Sequence, residues 1–185
     1  MIIKIANLGF LFLLASLVMS CDKGEVGRKF SIRLDRNFEV PAGLDYLNAH
    51  YFVLDEIPTF YQQVINQQNV PAGTKITLVP ESAVISSIYN DVDFDFVDKV
   101  SVRIYTNTNV KDKPEAFYIE YIPTTVDGEL RLIPTSFDAQ PFLKDGIVNA
   151  EVRFFFKRTT PQLMNLRIVM DFRGNYWIAP DRNRK

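Results

Sequence analysis

NAEVRFFFKRTTPQLMNLRIVMDF, residues 149–172, is the stretch of this 185-residue chain that decides the fold. On both sides of its centre, large apolar side chains alternate with other residues, and a period of two is typical of a strand with one buried face. The Thr-Thr-Pro-Gln segment between the two runs consists of residues that favour turns. The stretch therefore predicts two long strands, at 148–157 and 163–172, joined by a turn.

The same alternation recurs along the chain from residue 30, where Phe30, Ile32 and Leu34 alternate with polar neighbours. Further runs of this kind lie at 50–54, 74–79, 83–89, 92–96, 99–106, 115–122 and 129–133, with a shorter piece near 175–178. Turn residues separate the runs, at Pro71-Ala72-Gly73, Asp127-Gly128, Asp145-Gly146, Thr160-Pro161 and Gly174-Asn175. The pattern predicts an all-β fold, a single antiparallel β-sandwich over 30–185 that is immunoglobulin-like or jelly-roll-like.

One segment has helical spacing instead. In TFYQQVINQ, residues 59–67, Phe60 and Val64 follow a helical period, and Thr59 is a candidate N-cap. This predicts one short helix, which must pack on the sheet because so few residues form a marginal helix alone.

The composition is that of a globular chain without a strongly charged surface. With 47% hydrophobic and 23% charged residues, the chain is long enough for one domain with a substantial core. Its net charge of -1 argues against nucleic acid as a partner. Neither G-x-G-x-x-G nor G-x-x-x-x-G-K-[ST] occurs, so the sequence predicts no nucleotide site and no cofactor.

Residues 1–20 have the features of a secretory signal peptide. Lys4 precedes an apolar run from Leu8 to Val18, and the small Ser20 precedes Cys21. The run is too short to span a bilayer, since a crossing helix needs about 20 residues.

Val18-Met19-Ser20-Cys21 resembles the lipobox of bacterial lipoproteins, with Met19 in place of the usual small or β-branched residue. The resemblance covers residues 1–21 and implies cleavage before Cys21, acylation of its sulfur and anchoring in a membrane. It implies a cell-envelope location, at the inner or outer membrane and either periplasmic or surface-exposed. Residues 21–29 would be the lipidated cysteine and a tether; the alternative is a secreted protein with an incidental cysteine. Because Cys21 is the sole cysteine, the domain has no thiol for a disulfide, a zinc site or a nucleophile.

The stretch NDVDFDFVDK, residues 90–99, is dense in carboxylates, with Asp91, Asp93 and Asp95 matching the opening of an EF-hand loop. Phe96 and Val102 stand where that loop requires glycine and glutamate, so the calcium motif fails.

A period of two explains the same stretch better. It predicts a strand with the three aspartates on a solvated face and the alternate apolar residues inward, namely Val92, Phe94 and Phe96. A metal site at Asp91, Asp93 and Asp95, completed by neighbouring loops, is the alternative.

Two further candidates are a histidine and an aromatic pair. His50 is the sole histidine, and no G-x-S-x-G nucleophile elbow accompanies it, so the sequence predicts a structural role and no catalytic residue. Tyr176 and Trp177 follow Gly174-Asn175, with Arg173 nearby. A Trp/Tyr pair in a loop can stack on a sugar or anchor a protein partner; the alternative is strand aromatics that close one end of the core.

Two functions are consistent with these features. The first is a lipid-anchored, non-enzymatic binding or accessory module that contacts an envelope protein or glycan through loop aromatics. The second is a hydrolase of envelope polymers, acting on glycan or ester bonds through acidic residues or His50. A cleft that joins His50 or the aspartates to another carboxylate would favour the hydrolase.

Overall fold

A computed structural model describes residues 26–123 and 128–178. Eight strands lie in these ranges: β1 (Val26–Val40), β2 (His50–Pro58), β3 (Ile76–Ser87), β4 (Val97–Tyr105), β5 (Glu115–Ile119), β6 (Glu129–Pro134), β7 (Ile147–Phe156) and β8 (Met164–Ile178). Two short helices are α1 (Tyr61–Gln67) and α2 (Gln140–Leu143). Neither is long and apolar enough to cross a membrane.

The strands pair antiparallel in the order β1-β8-β3-β6-β5-β4-β7-β2. The contact between β5 and β6 is short, with the pairs Phe117↔Pro134 and Tyr118↔Ile133, and it joins two four-stranded halves. We call β1-β8-β3-β6 sheet A and β5-β4-β7-β2 sheet B. The first four strands thus pair with the last four in reverse order: β1 with β8, β2 with β7, β3 with β6 and β4 with β5. This is the strand pairing of a jelly roll, and it confirms the predicted all-β antiparallel sandwich.

The core lies between the two sheets, because alternate side chains of every strand turn toward the opposite sheet. The largest fully buried side chains include Phe94, Phe117, Phe154, Phe172 and Tyr176. Aromatic contacts cross the core, such as that between the Phe117 and Phe172 rings, whose centroids are 5.6 Å apart.

The predicted strands at 148–157 and 163–172 are present as β7 and β8, and they lie in different sheets. The predicted turn at Gly174-Asn175 is wrong, since β8 runs unbroken to Ile178. Gly174 has a different use. A β-carbon there would lie 2.2 Å from Cζ of Phe30, so the glycine makes room for that ring across the β1–β8 pair.

The predicted helix at 59–67 is present but begins at Tyr61. Phe60 takes a left-handed conformation with φ 51°, and the Thr59 hydroxyl accepts a hydrogen bond from the Tyr61 amide at 3.3 Å. The same hydroxyl donates to the Leu143 carbonyl at 2.7 Å, which ties α1 to α2. The four-residue α2 is an addition to the single helix that was predicted.

The predicted strand at 92–96 is wrong, since β4 begins only at Val97. Residues 92–96 form an irregular turn, in which the Val97 amide donates to the Phe94 carbonyl and the Asp95 amide to the Asp93 carboxylate. Aspartate side chains that bond nearby amides offer the backbone an alternative to a strand ladder. The predicted inward set is nevertheless buried, with Val92, Phe94 and Phe96 at most 6% exposed.

The predicted signal peptide and Cys21 lie outside the described residues. β1 begins at Val26, so the last four residues of the predicted tether, 26–29, already pair with β8.

Candidate functional site

The strand registers place every connection at one of two ends of the sandwich. The end that carries Val26 and Ile178, which we call the proximal end, also holds the connections 59–75, 106–114 and 135–146. The opposite end, which we call the distal end, holds the connections 41–49, 88–96, 120–123 with 128, and 157–163.

All four distal connections expose large apolar side chains. Among them Leu47, Tyr89 and Tyr121 are 78%, 69% and 77% exposed, and the full set is Tyr46, Leu47, Ile88, Tyr89, Tyr121 and Leu163. Other exposed apolar side chains, such as Phe60, Val110 and Ile133, lie elsewhere on the domain, but the distal end holds the three that are most exposed. Single apolar residues are normal on a surface, whereas several at one end mark a candidate site of interaction.

Hydrogen bonds join the distal connections. The Thr160 hydroxyl, 2% exposed, accepts from the Leu44 amide and donates to the Pro41 carbonyl, at 2.8 Å in both cases. Lys157 Nζ donates to the Ile122 carbonyl at 2.7 Å. The exposed side chains therefore stand on loops that are fixed to one another.

The aspartates of 90–99 lie at this end but bond to separate partners. The Ser87 hydroxyl donates to Asp91 at 2.5 Å, and Arg158 Nη2 donates to both carboxylate oxygens of Asp95, at 2.6 and 2.7 Å. Asp91 and Asp93 border a shallow depression of about 400 Å³ beside Gly128. Within 26–123 and 128–178, no three side chains of the His, Cys, Asp or Glu type are placed to hold one metal ion. The metal site at Asp91, Asp93 and Asp95 stays a prediction.

His50 holds the first distal connection, residues 41–49, in place through one hydrogen bond and one aromatic contact. Its Nε2 donates to the Asp45 carbonyl at 2.8 Å, and its ring lies 5.5 Å from that of Phe156. The Asp45 carboxylate in turn accepts from the Leu47 amide, which is the main reason that the pKa of Asp45 is lowered, with the Asn48 side chain next. These contacts agree with the structural role expected of His50.

The predicted binding group of Tyr176, Trp177 and Arg173 is divided between two faces. Tyr176 is fully buried, so its placement in an exposed loop pair is wrong. The reason is that all three residues lie in β8, where neighbouring side chains point to opposite faces. Trp177, 48% exposed, and Arg173, which pairs with Glu81 at 3.4 Å, remain on the outer face.

The outer face of sheet B carries a second cluster of polar groups. Lys113 Nζ lies 2.7 Å from Glu151 and 4.4 Å from the centre of the Tyr105 ring. The hydrogen bond to Glu151 raises the pKa of Lys113, while burial raises the pKa of the Tyr105 hydroxyl. Nearby, a cleft of about 70 Å³ is bordered by Ser101 and Arg153. Their Oγ and Nε atoms are buried without a hydrogen-bond partner in the described part of the chain.

The distal apolar group had no signal in the sequence. Its members come from four connections that lie far apart in the chain, and only the paired strands bring them to one end. Turn-rich stretches between strands mark candidate binding loops in general, but no spacing shows which loops share an end.

No protein-family model matches the chain, and no curated protein matches it. Solved structures that resemble it include viral capsid proteins, at low similarity. The decameric BFDV capsid protein is 10% identical, with a TM-score of 0.33 over 80% of this chain and 99% of that one. The capsid of cyanophage Pam1 is 7% identical, with a TM-score of 0.34 over 83% and 86%. Similarities of this size carry no inference about function.

Proposed function

We propose that the protein is a lipid-anchored, non-enzymatic binding or accessory module of the bacterial cell envelope. In this proposal Cys21 carries the acyl chains that hold the protein to the membrane, and the distal end contacts an envelope protein or glycan.

The exposed apolar group of the distal end carries the proposal. Tyr89 and Tyr121 offer large, amphipathic surfaces of the kind that anchor protein partners and stack on sugars. Because hydrogen bonds from Thr160 and Lys157 join the loops, less conformational entropy is lost when a partner binds.

The position of this group relative to Cys21 also supports the proposal. Cys21 precedes β1, and β1 runs from the proximal end to the distal end. The distal loops thus lie one full strand length, about 45 Å, from the point where the anchored segment joins the domain. A module that binds partners beyond the membrane surface needs this arrangement.

The hydrolase alternative has less support. His50 Nε2 is occupied by a backbone carbonyl, and Asp95 is neutralised by Arg158. Two of the groups that this alternative would use as acid or base are therefore already engaged elsewhere.

Site-directed photocrosslinking in intact cells tests the binding proposal. A photoreactive phenylalanine analogue replaces Tyr89 or Tyr121, and Ile133 is the control, since it is 50% exposed on the outer face of sheet A. We expect adducts of the same protein or glycan from both tyrosine positions and none from Ile133. Adducts that are equally frequent at Ile133, or absent at both tyrosines, would contradict the proposal.

The anchor is tested separately by intact mass of the membrane-extracted protein. We expect a mass increase from acyl chains on Cys21, and loss of that increase in Cys21→Ser. A Cys21→Ser protein that is still acylated would refute anchoring at this residue.

A further inference from the structure

Trp177 occupies the outer face of β8 at the proximal end. It pairs with Gly27 of β1, and the indole lies beside that glycine, because a β-carbon on Gly27 would be 3.4 Å from Nε1 of Trp177. The side chain is 48% exposed and is the sole tryptophan of the chain. A half-exposed indole with a free edge is the type of side chain that collects at membrane–water interfaces.

Two exposed lysines lie near this tryptophan. Lys29 is two residues after Gly27 and so shares the outer face of β1, and Lys75 immediately precedes β3, whose first residue pairs with Tyr176. Neither lysine forms a salt bridge with a residue in the described ranges. Arg28 is also exposed, but it pairs with Tyr176 and therefore lies on the opposite face of β1. Arg173, further along β8, is paired with Glu81.

The rest of the proximal end is not basic in this way. The surface of α1 is polar and uncharged, with Gln62, Gln63 and Asn66. On the side of sheet B, acidic and basic residues adjoin each other, at Lys111-Asp112 and Lys144-Asp145. Among the described residues of the proximal end, the positive charge is therefore concentrated at the corner of sheet A where β1 begins.

The length of chain before β1 determines how far this corner can lie from a membrane that holds Cys21. Five Cα–Cα steps separate Cys21 from Val26, so the two residues are at most about 18 Å apart. This is well below the roughly 45 Å length of β1. The corner with Trp177 is accordingly the part of the domain that lies nearest the acyl chains.

We propose that this corner is a membrane-docking surface: Trp177 inserts at the lipid interface, and Lys29 and Lys75 contact anionic lipid headgroups. The proposal rests on the anchoring of Cys21 given under Proposed function. Its chemistry is that of interfacial aromatic residues and of basic residues near an anionic leaflet. Docking would orient the distal end away from the membrane instead of leaving the domain to rotate on its tether.

The intrinsic fluorescence of Trp177 tests the proposal without an added label. The acylated protein is extracted from membranes and reconstituted into phosphatidylcholine vesicles with or without phosphatidylglycerol. We expect a blue-shifted emission and quenching by brominated lipid, both stronger when phosphatidylglycerol is present. The matched reporter is Trp177→Phe combined with Tyr121→Trp, which places the sole indole at the distal end, and there we expect quenching by aqueous acrylamide only.

Charge variants test the role of the lysines. In Lys29→Glu with Lys75→Glu, we expect brominated-lipid quenching of Trp177 to lose its dependence on phosphatidylglycerol. Lys99→Glu with Arg131→Glu makes the same change of charge on the outer sheet faces and should behave as the unmodified protein.

Equal quenching of Trp177 and of the distal reporter would overturn the docking surface while leaving the anchor intact. Intact mass is measured on the same samples. If it shows no acyl chain on Cys21, the proposed anchoring fails, and the unacylated protein is then added to the same vesicles. A blue shift that depends on phosphatidylglycerol would still support the surface, and no shift would overturn it.

Discussion

Replacing Gly174 with alanine should destabilise the domain, although glycine inside a strand is usually a weak point. A β-carbon at this position would lie 2.2, 2.4 and 2.5 Å from three carbons of the Phe30 ring, whereas carbon atoms in contact need about 3.5 Å. The ring has little room to move, because Phe30 is 7% exposed and its centroid lies 6.1 Å from that of the buried Tyr176.

The expected magnitude follows from the cost of overpacking. Forcing an added carbon into a packed core costs about 1–3 kcal/mol. At about 2–4 °C per kcal/mol for a domain of this size, Gly174→Ala should lower Tm by roughly 2–12 °C. Relief of the glycine entropy cost in a strand, about 0.5–1 kcal/mol, reduces the effect without reversing it.

Thermal and urea unfolding of four proteins measure this effect: the unmodified chain, Gly174→Ala, Phe30→Ala and the double variant. In the Phe30→Ala background the ring is gone, so Gly174→Ala should no longer destabilise the domain and should stabilise it by at most about 0.5–1 kcal/mol. Gly27→Ala is the matched control in the adjacent strand, since its nearest neighbour would lie at an ordinary 3.4 Å. A Gly174→Ala protein as stable as the unmodified one, or equally destabilised with and without Phe30, would refute the reasoning.

Two further predictions concern buried hydrogen bonds and pH. Thr160→Val should cost about 2 kcal/mol in urea unfolding, because it leaves the Leu44 amide unpaired, while Thr160→Ser keeps the hydroxyl and should retain most of the stability. The Lys113–Glu151 contact raises the pKa of Lys113 in the folded state, so its stabilisation is complete below the usual value of 10.5 and is lost as the pH rises through the folded pKa. Glu151→Gln should therefore lower stability at neutral pH and reduce its further decline above pH 10.5; an unchanged decline would contradict this.

The sequence was sufficient to predict β7 and β8 and the side chains that they bury. In β7 and β8 the alternation is long and bounded by turn residues, so both the strands and their inward faces follow from a period of two. The same period of two gave a wrong prediction at 92–96, where a strand was expected and an irregular turn is present. Val92, Phe94 and Phe96 do point inward, but the aspartates between them bond to nearby amides and a serine, and an irregular turn can alternate its side chains as a strand does.

Tertiary contacts explain what the sequence could not show. Gly174-Asn175 has the composition of a turn. The glycine is instead needed because only a residue without a β-carbon leaves space for the ring of Phe30, which is far away in the chain. The exposed group of the distal end likewise depends on which connections meet at one end, and this follows from strand pairing. Local residue patterns do not contain that information.

The pairing of β1 with β8 has a consequence for the order in which the chain can fold. Val26 pairs with Ile178, and the fifteen residues of β1 all find their partners in the last strand of the described fold. A chain that emerges N-terminus first, from a ribosome or a translocation channel, cannot complete sheet A until its C-terminal strand has emerged. High contact order of this kind makes folding slow. The domain therefore stays incompletely folded until the residues of β8 have emerged.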